Sequence, residues 1–153
     1  MLQEKKQHDW AVRPLNNELG EALRAELLGW PGVTVRPMFG VMAFYRGKNI
    51  LGCYVNRDLA QKKAAYMNRP GEPALVWIRL RRDDVARACR RPGIRTSRTG
   101  MSQWIELSLA SRAALAEAVR WLGHAYQHPP RGSAKKKSPR RAAKRRMKHR
   151  ARR

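Results

Sequence analysis

Cysteine is scarce in this chain of 153 residues: there are two, Cys53 and Cys89, and they match no CxxC spacing. This excludes the dense disulfide framework of small secreted domains and favours two thiols in a reducing compartment. Long apolar runs are also missing, since none approaches the ~20 residues that cross a bilayer. The start, MLQEKKQHDW, lacks the apolar stretch of a secretory signal. We therefore expect a cytoplasmic protein without a transmembrane segment, nucleoid-associated if it is bacterial.

Catalytic and metal-binding patterns are missing as well. The chain contains no GxSxG, no HExxH and no Gly-rich phosphate loop. His124 and His128 have an i, i+4 spacing that a zinc site can use, but no Glu lies between them and they fall at a predicted helix end. Asp83 and Asp84 have the pattern of a helix start rather than of an acid/base pair. We expect a protein that is not an enzyme and holds no metal or cofactor.

Acidic residues are few and unevenly placed. The formal net charge is +23, and no Asp or Glu follows Glu117. From His128 onward there are 13 Lys and Arg residues without an acid, yet residues 1–127 still carry a net charge of +10. Such a field attracts polyanions: nucleic acid first, then anionic membrane surfaces and acidic proteins.

Apolar spacing predicts three helices. Leucines recur every four residues from Leu15 to Leu27 and predict the first helix. Asn16 or Asn17 can cap its start, and the GWPG stretch ends it. A short middle helix runs from a cap at Asp83 to Arg91. The last helix is capped by Ser108 or Ser111 and ends at His128-Pro129-Pro130. Its buried face is predicted to consist of Leu115, Val119, Leu122 and Tyr126.

Alternating and β-branched residues predict the strands. They are Val33–Met38, Val41–Tyr45, Ile50–Val55, Ala74–Leu80 and the QWIELSL stretch, in which Ile105 and Leu107 alternate with Trp104 and Glu106. Residues 58–67 fit either a short helix or a strand with a loop.

These elements predict an α+β fold. It has a small, mostly antiparallel sheet with an N-terminal helix, a short middle helix and a C-terminal helix, plus a disordered basic tail. We divide the chain into a flexible arm at residues 1–13, the α+β domain at 14–127 and the tail at 128–153.

The stretch RPMFGVMAFYRGKNILGCYV resembles the start of the TfoX N-terminal domain family, which is named after a regulator of bacterial competence. Met38-Phe39-Gly40 matches a triplet that opens a hairpin there. The short helix before RPGIR, and GMSQWIELS with Trp104, are similar to later family features, so the likeness spans residues 18–127. It implies an α+β domain with a role in transcription regulation and supplies no catalytic site. The polar stretch 56–73 is longer than the family pattern.

A lesser resemblance is to bacterial luciferase-domain proteins of unknown activity. They share a strand-rich centre and a final Trp-bearing strand followed by a helix. Their His-bearing motif after the hairpin is absent, because Leu51-Gly52-Cys53-Tyr54 stands in its place.

The tail carries the highest charge density. Like charges at i and i+4 oppose a helix, so we expect disorder in solution. On DNA or RNA, which are equally suited, counterion release drives binding that is independent of sequence. The alternative is a solubilising extension without a partner. The predicted phosphate contacts are Lys135, Lys136, Lys137, Arg140, Arg141, Lys144, Arg145, Arg146, Lys148 and Arg150.

A second basic cluster lies in the body, where residues 79–98 contain eight arginines and only two acids. The guanidinium fork suits phosphate oxygens. The alternative is a solvated helix face. The predicted contacts are Arg87, Arg90 and Arg91, which we expect on the solvent face of the middle helix, and Arg95 and Arg98. Arg46, Lys48, Lys62 and Lys63 could extend this basic surface.

We therefore expect a non-catalytic protein that associates with DNA or RNA by non-specific phosphate contacts, with a role in transcription regulation. The alternative is a protein-interaction module that binds a partner around Met38, Phe39 and Met42 and is anchored by its tail. Phe44, Tyr45, Tyr54 and Trp77 could stack on bases, although their alternation fits core packing at least as well.

Overall fold

The computed structural model describes residues 10–59 and 68–130. A helical turn at residues 10–12 precedes the three helices and six strands. In chain order these are α1 (Glu18–Leu28), β1 (Val33–Met38), β2 (Val41–Arg46), β3 (Asn49–Val55), β4 (Leu75–Arg79), α2 (Arg82–Cys89), β5 (Ile94–Thr96), β6 (Trp104–Ser108) and α3 (Arg112–Gln127).

The six strands form one sheet in the order β1-β2-β3-β4-β6-β5, and every neighbouring pair is antiparallel. All three helices contribute to a single core on one face, where Leu23, Ala88 and Leu122 join Phe44 and Ile78. Burying these apolar side chains is the main stabilising contribution to the fold. The α+β prediction is confirmed.

The opposite face of the sheet has its own apolar cluster, to which no helical residue belongs. Its buried members are Val41, Ala43, Cys53, Val55, Leu75, Trp77 and Trp104. Glu106 lies on this face too, because it pairs with Trp77 across β4 and β6. We call this side the second face; it carries the only carboxylate that the described residues bury completely.

Local capping explains where the helices begin. The Asn17 side chain accepts a hydrogen bond from the Gly20 N–H and starts α1. Leu15 therefore lies before the helix rather than in it, and stays buried while its N–H donates to the Glu21 carboxylate at 2.8 Å. Ser111 caps α3 through the Ala114 N–H.

Three further details differ from the sequence-based expectation. Asp83 lies inside α2, whose N-cap is Arg81 without a side-chain hydrogen bond. β5 was not predicted, because three residues are too few to show a period. The fully buried face of α3 is Ala118, Trp121, Leu122 and Ala125, while Leu115, Val119 and Tyr126 are half-buried. Small alanines let the helix approach the sheet closely. Most of the ambiguous stretch 58–67 lies outside the described residues.

The two edges of the sheet are β1 and β5. β1 contains Pro37, which has no N–H to offer to a further strand. β5 spans only three residues and follows Pro92-Gly93.

Within the described ranges, none of the helices is both long enough and apolar enough to cross a membrane.

Candidate nucleic-acid interface

The arginines predicted on the middle helix are exposed, and two of them are paired with acids. Only Arg87 lies in α2, because the helix ends at Cys89 rather than at Arg91. Arg87 donates to Asp84 at 3.2 Å on the same helix, and Arg91 forms an ion pair with Glu117 of α3. Arg90 forms no ion pair within residues 10–59 and 68–130. Phosphate can reach all three side chains, but at two of them it would compete with a carboxylate.

Arg95 and Arg98 lie on the second face and converge on the buried Glu106, whose side chain is 1% exposed. The Nε atoms of Arg95 and Arg98 donate to its two oxygens at 2.7 and 2.8 Å, and Trp77 Nε1 donates at 3.0 Å. Arg98 also pairs with Glu72 at 2.9 Å. These contacts join β4, β5, β6 and the segment before β4 into one network.

The charge state of Glu106 follows from these contacts. Burial acts to raise the pKa of its carboxyl, but hydrogen bonds from Arg98, Trp77 and Arg95 together lower the pKa below its ordinary value of 4.5. Glu106 is therefore ionised at neutral pH. Sequence reasoning missed this residue as a site. The signal in the sequence was that Glu106 is two residues from Trp104 on the same strand. Side chains two residues apart lie on the same face of a sheet, so the tryptophan indicates that this face is covered rather than solvated.

Four of the five body arginines predicted to contact phosphate are thus engaged in ion pairs within the domain. Arg95 keeps outward donors, since within the described part of the chain only its Nε is engaged and half of its side chain is exposed. The pairs of Arg91, Arg95 and Arg98 connect different elements of the fold, whereas the pair of Arg87 lies within α2. The cluster is consequently less available to phosphate than its composition indicates.

A second group of cations lies where α3 ends. Arg46 donates to the Tyr126 carbonyl at 2.7 Å and stacks on the Tyr126 ring at 3.9 Å, while Arg81 donates to the Pro129 carbonyl at 3.2 Å. Lys48 in the β2–β3 turn and Arg82 at the start of α2 are exposed neighbours of these two. We call these four residues the basic end. None of them forms an ion pair with an acid of the described chain.

The basic end is also where the tail begins. Pro130, the last described residue of this segment, is buried. The 23 residues that follow it, 131–153, contain 13 Lys and Arg. The tail residues predicted to bind phosphate, from Lys135 to Arg150, lie outside the described residues. The described part of the chain ends at Pro130, next to Pro129, whose carbonyl accepts the hydrogen bond from Arg81.

The aromatic residues considered for stacking are mostly in the interior. Phe44 and Tyr54 are fully buried, Trp77 is nearly so and Tyr45 is half-buried. Of the family-motif residues, Trp104 is buried and Met38 is half-buried, whereas Phe39 is 87% exposed at the tip of the β1–β2 hairpin. Met42, considered for a protein interface, lies in the core at 0% exposure, so it is not available to a partner.

The two histidines at the end of α3 contact each other, and one of them also contacts an acid of α2. His124 Nε2 lies 2.9 Å from Asp84, and the rings of His124 and His128 are 4.8 Å apart. No group of three His, Cys, Asp or Glu residues within the described ranges could hold a metal ion.

No protein-family model, no curated protein and no solved structure matches this chain. The likeness to TfoX N-terminal domains and to luciferase-domain proteins stays a prediction from short motifs.

Proposed function

We propose that the protein is a non-catalytic nucleic-acid-associated protein with a role in transcription regulation. It binds the phosphate backbone through its basic tail and through the basic end of its domain. The observation that supports this most is that the described domain ends at Pro130, where Arg46 and Arg81 bind the carbonyls of Tyr126 and Pro129. Neither arginine, nor the exposed Lys48 and Arg82, forms an ion pair with an acid of residues 10–59 or 68–130. Tail and domain then present one continuous positive field to a polyanion.

Removing the tail should weaken binding strongly. A chain that ends at Pro130 loses 13 Lys and Arg residues, so its affinity should fall by about tenfold or more at ~0.15 M salt, with a flatter dependence of log K on log salt. Fluorescence anisotropy with duplex and single-stranded DNA and RNA, between about 50 and 200 mM salt, measures both quantities. Equal affinity of the two chains would exclude the tail from the binding site. Failure of the full chain to bind any probe at low salt would overturn the proposed nucleic-acid binding.

Neutralising the basic end tests the contribution of the domain. In the full-length chain, Lys48→Gln with Arg82→Gln removes two exposed cations whose side chains form no hydrogen bond or ion pair with residues 10–59 or 68–130, so stability should be unchanged. Losing two phosphate contacts should lower the salt slope by about 1.8. The charge-matched comparison is Arg90→Gln with Arg91→Gln on the α2 side. An equal loss in both variants would mean that the basic end is not a preferred contact, and a larger loss in the comparison variant would place the contact at Arg90 and Arg91 instead.

The alternative function, a protein-interaction module anchored by the tail, is favoured by one observation. Phe39 and, in another loop, Met101 are large apolar side chains exposed at 87% and 57%. A partner protein that co-purifies in stoichiometric amount after nuclease treatment would support this alternative.

A further inference from the structure

The tip of the β1–β2 hairpin has an unusual occupant. Met38 pairs with Val41, so Phe39 and Gly40 alone form the turn, and both have positive φ, +48° and +82°. Two-residue hairpin turns of this kind match the twist of the strands, and they favour Asn, Asp or Gly at the first position. Phenylalanine is poorly suited to the left-handed region because its Cβ approaches the backbone.

Nothing within the fold compensates for this choice. The Phe39 ring is 87% exposed, so it contributes almost no burial to the core. Asparagine would satisfy the same backbone at lower cost. The backbone at Phe39 is in an unfavourable conformation, and its exposed ring packs little against the fold. Together these two features point to a contact of the ring outside the chain.

The charges around the tip indicate the kind of contact. No acid lies between Glu26 and Asp58, a stretch that includes β1, β2 and β3. Arg36 on β1 lies over the Tyr45 ring at 5.0 Å, and β3 runs back to the tip, so that Arg57 leaves the sheet at the same end as Phe39. Neither arginine forms an ion pair with a described acid.

These three strands form an acid-free strip along the sheet. Arg36 lies on the second face, because it pairs with Ala43, whereas Arg46 turns toward α3. Arg57 and Phe39 lie about six residues of strand, roughly 20 Å, from Arg46 and Lys48. The exposed Asp58 follows Arg57 and is the first acid after the strip. Cations along a path with an exposed aromatic ring are the elements by which proteins bind single strands. Bases inside a duplex are stacked on one another, so their faces are not available to the ring.

We propose that Phe39 stacks on an unpaired base of single-stranded nucleic acid, while Arg36 and Arg57 contact the phosphates beside it. This rests on the proposed function and specifies its partner, since a tail alone does not distinguish single strands from duplex. Single-stranded DNA and RNA share the base faces and phosphates that this site uses. A pocket in a partner protein is the competing occupant.

The experiment uses the full-length chain with Phe39→Asn, which keeps the turn and removes the ring. Fluorescence anisotropy with labelled oligo-dT, oligo-U and a DNA duplex should show single-strand affinity reduced by about fivefold or more, because stacking on one base is lost. Duplex affinity and the salt slope should be unchanged. Phe39→Trp should retain single-strand affinity, and Met101→Ser, the control for an exposed apolar side chain elsewhere, should behave as the parent does.

The outcomes separate the two proposals. Duplex binding by the parent chain, together with equal single-strand affinities of the parent and Phe39→Asn, overturns the role of Phe39 and leaves the proposed function standing. An equal loss on duplex and single strands also overturns stacking. No binding of any probe by the parent at low salt overturns the function itself. Thermal unfolding of Phe39→Asn should show a Tm no lower than that of the parent, which excludes misfolding as the cause.

Discussion

Replacing Glu106 by glutamine should destabilise the domain by about 2 to 3 kcal/mol. Three side chains, Trp77, Arg95 and Arg98, donate to this buried carboxylate. The glutamine amide has one acceptor oxygen instead of two. Its NH2 group is a donor and would lie against a guanidinium group, which also only donates. Arg95 and Arg98 are partly exposed and can regain water, which keeps the loss below that of a fully buried pair. Urea denaturation followed by tryptophan fluorescence measures the change.

The control for this variant is Glu18→Gln. Glu18 also pairs with an arginine, Arg112 at 3.0 Å, but both side chains are largely exposed. Exposed pairs contribute little, so the control should change stability by less than about 0.5 kcal/mol. Equal effects of the two substitutions would mean that the second-face network does not stabilise the sheet.

The same network predicts a dependence on pH. Because the pKa of Glu106 is lower in the folded chain than its ordinary 4.5, the contribution of its carboxylate is complete above that pH and is lost as the pH falls through the folded value. The stability of Glu106→Gln should therefore fall less steeply below about pH 4.5 than that of the parent. Glu117, whose pKa is lowered mainly by the Arg91 hydrogen bond, still titrates in both proteins.

Substituting Gly52 by alanine should cost about 3 kcal/mol of folding free energy. A Cβ at this position of β3 would lie 2.3 Å from the Trp77 carbonyl oxygen and 2.9 Å from a Leu122 methyl group. The first neighbour is backbone of the adjacent strand, so relief requires β3 and β4 to separate. The Leu122 contact would push α3 away from the sheet at the same point.

Gly123→Ala is the matched control, since it adds the same methyl group within α3. Its Cβ would meet only a Trp30 ring atom at 3.7 Å, an ordinary contact. Alanine favours the helix over glycine by up to about 1 kcal/mol, so this variant should be neutral or slightly more stable. Denaturation midpoints of both variants test the difference, and a Gly52→Ala chain as stable as the parent would contradict the close approach of β3 and β4.

Local features of the fold could be predicted from sequence. Asn17, Ser111 and Gly47 act within a few residues of their own position, through caps and a turn with φ of +59°. Their type and spacing predicted the turn and narrowed each cap to two candidates, Asn16 or Asn17 and Ser108 or Ser111. The helices and long strands followed from apolar periodicity for the same reason.

The candidate site depends on distant partners, which is why sequence reasoning placed only part of it. Whether Arg95 and Arg98 face water or a buried acid depends on the pairing of β4 with β6, and that register is not a local property. The basic end forms because Arg46 meets Tyr126, 80 residues away. Likewise, the Met-Phe-Gly triplet does not reveal that the ring points into solvent.

The edges of the sheet have a consequence for behaviour at high local concentration. If many copies of a basic protein bind one polyanion, the polyanion neutralises their positive charge. The copies then no longer repel one another as they do in free solution. Exposed strand edges would then be templates for fibrillar aggregation. Pro37 interrupts the N–H row of β1, and β5 is too short to recruit a neighbouring chain. If the protein binds a polyanion as we propose, its sheet edges therefore disfavour pairing between neighbouring copies.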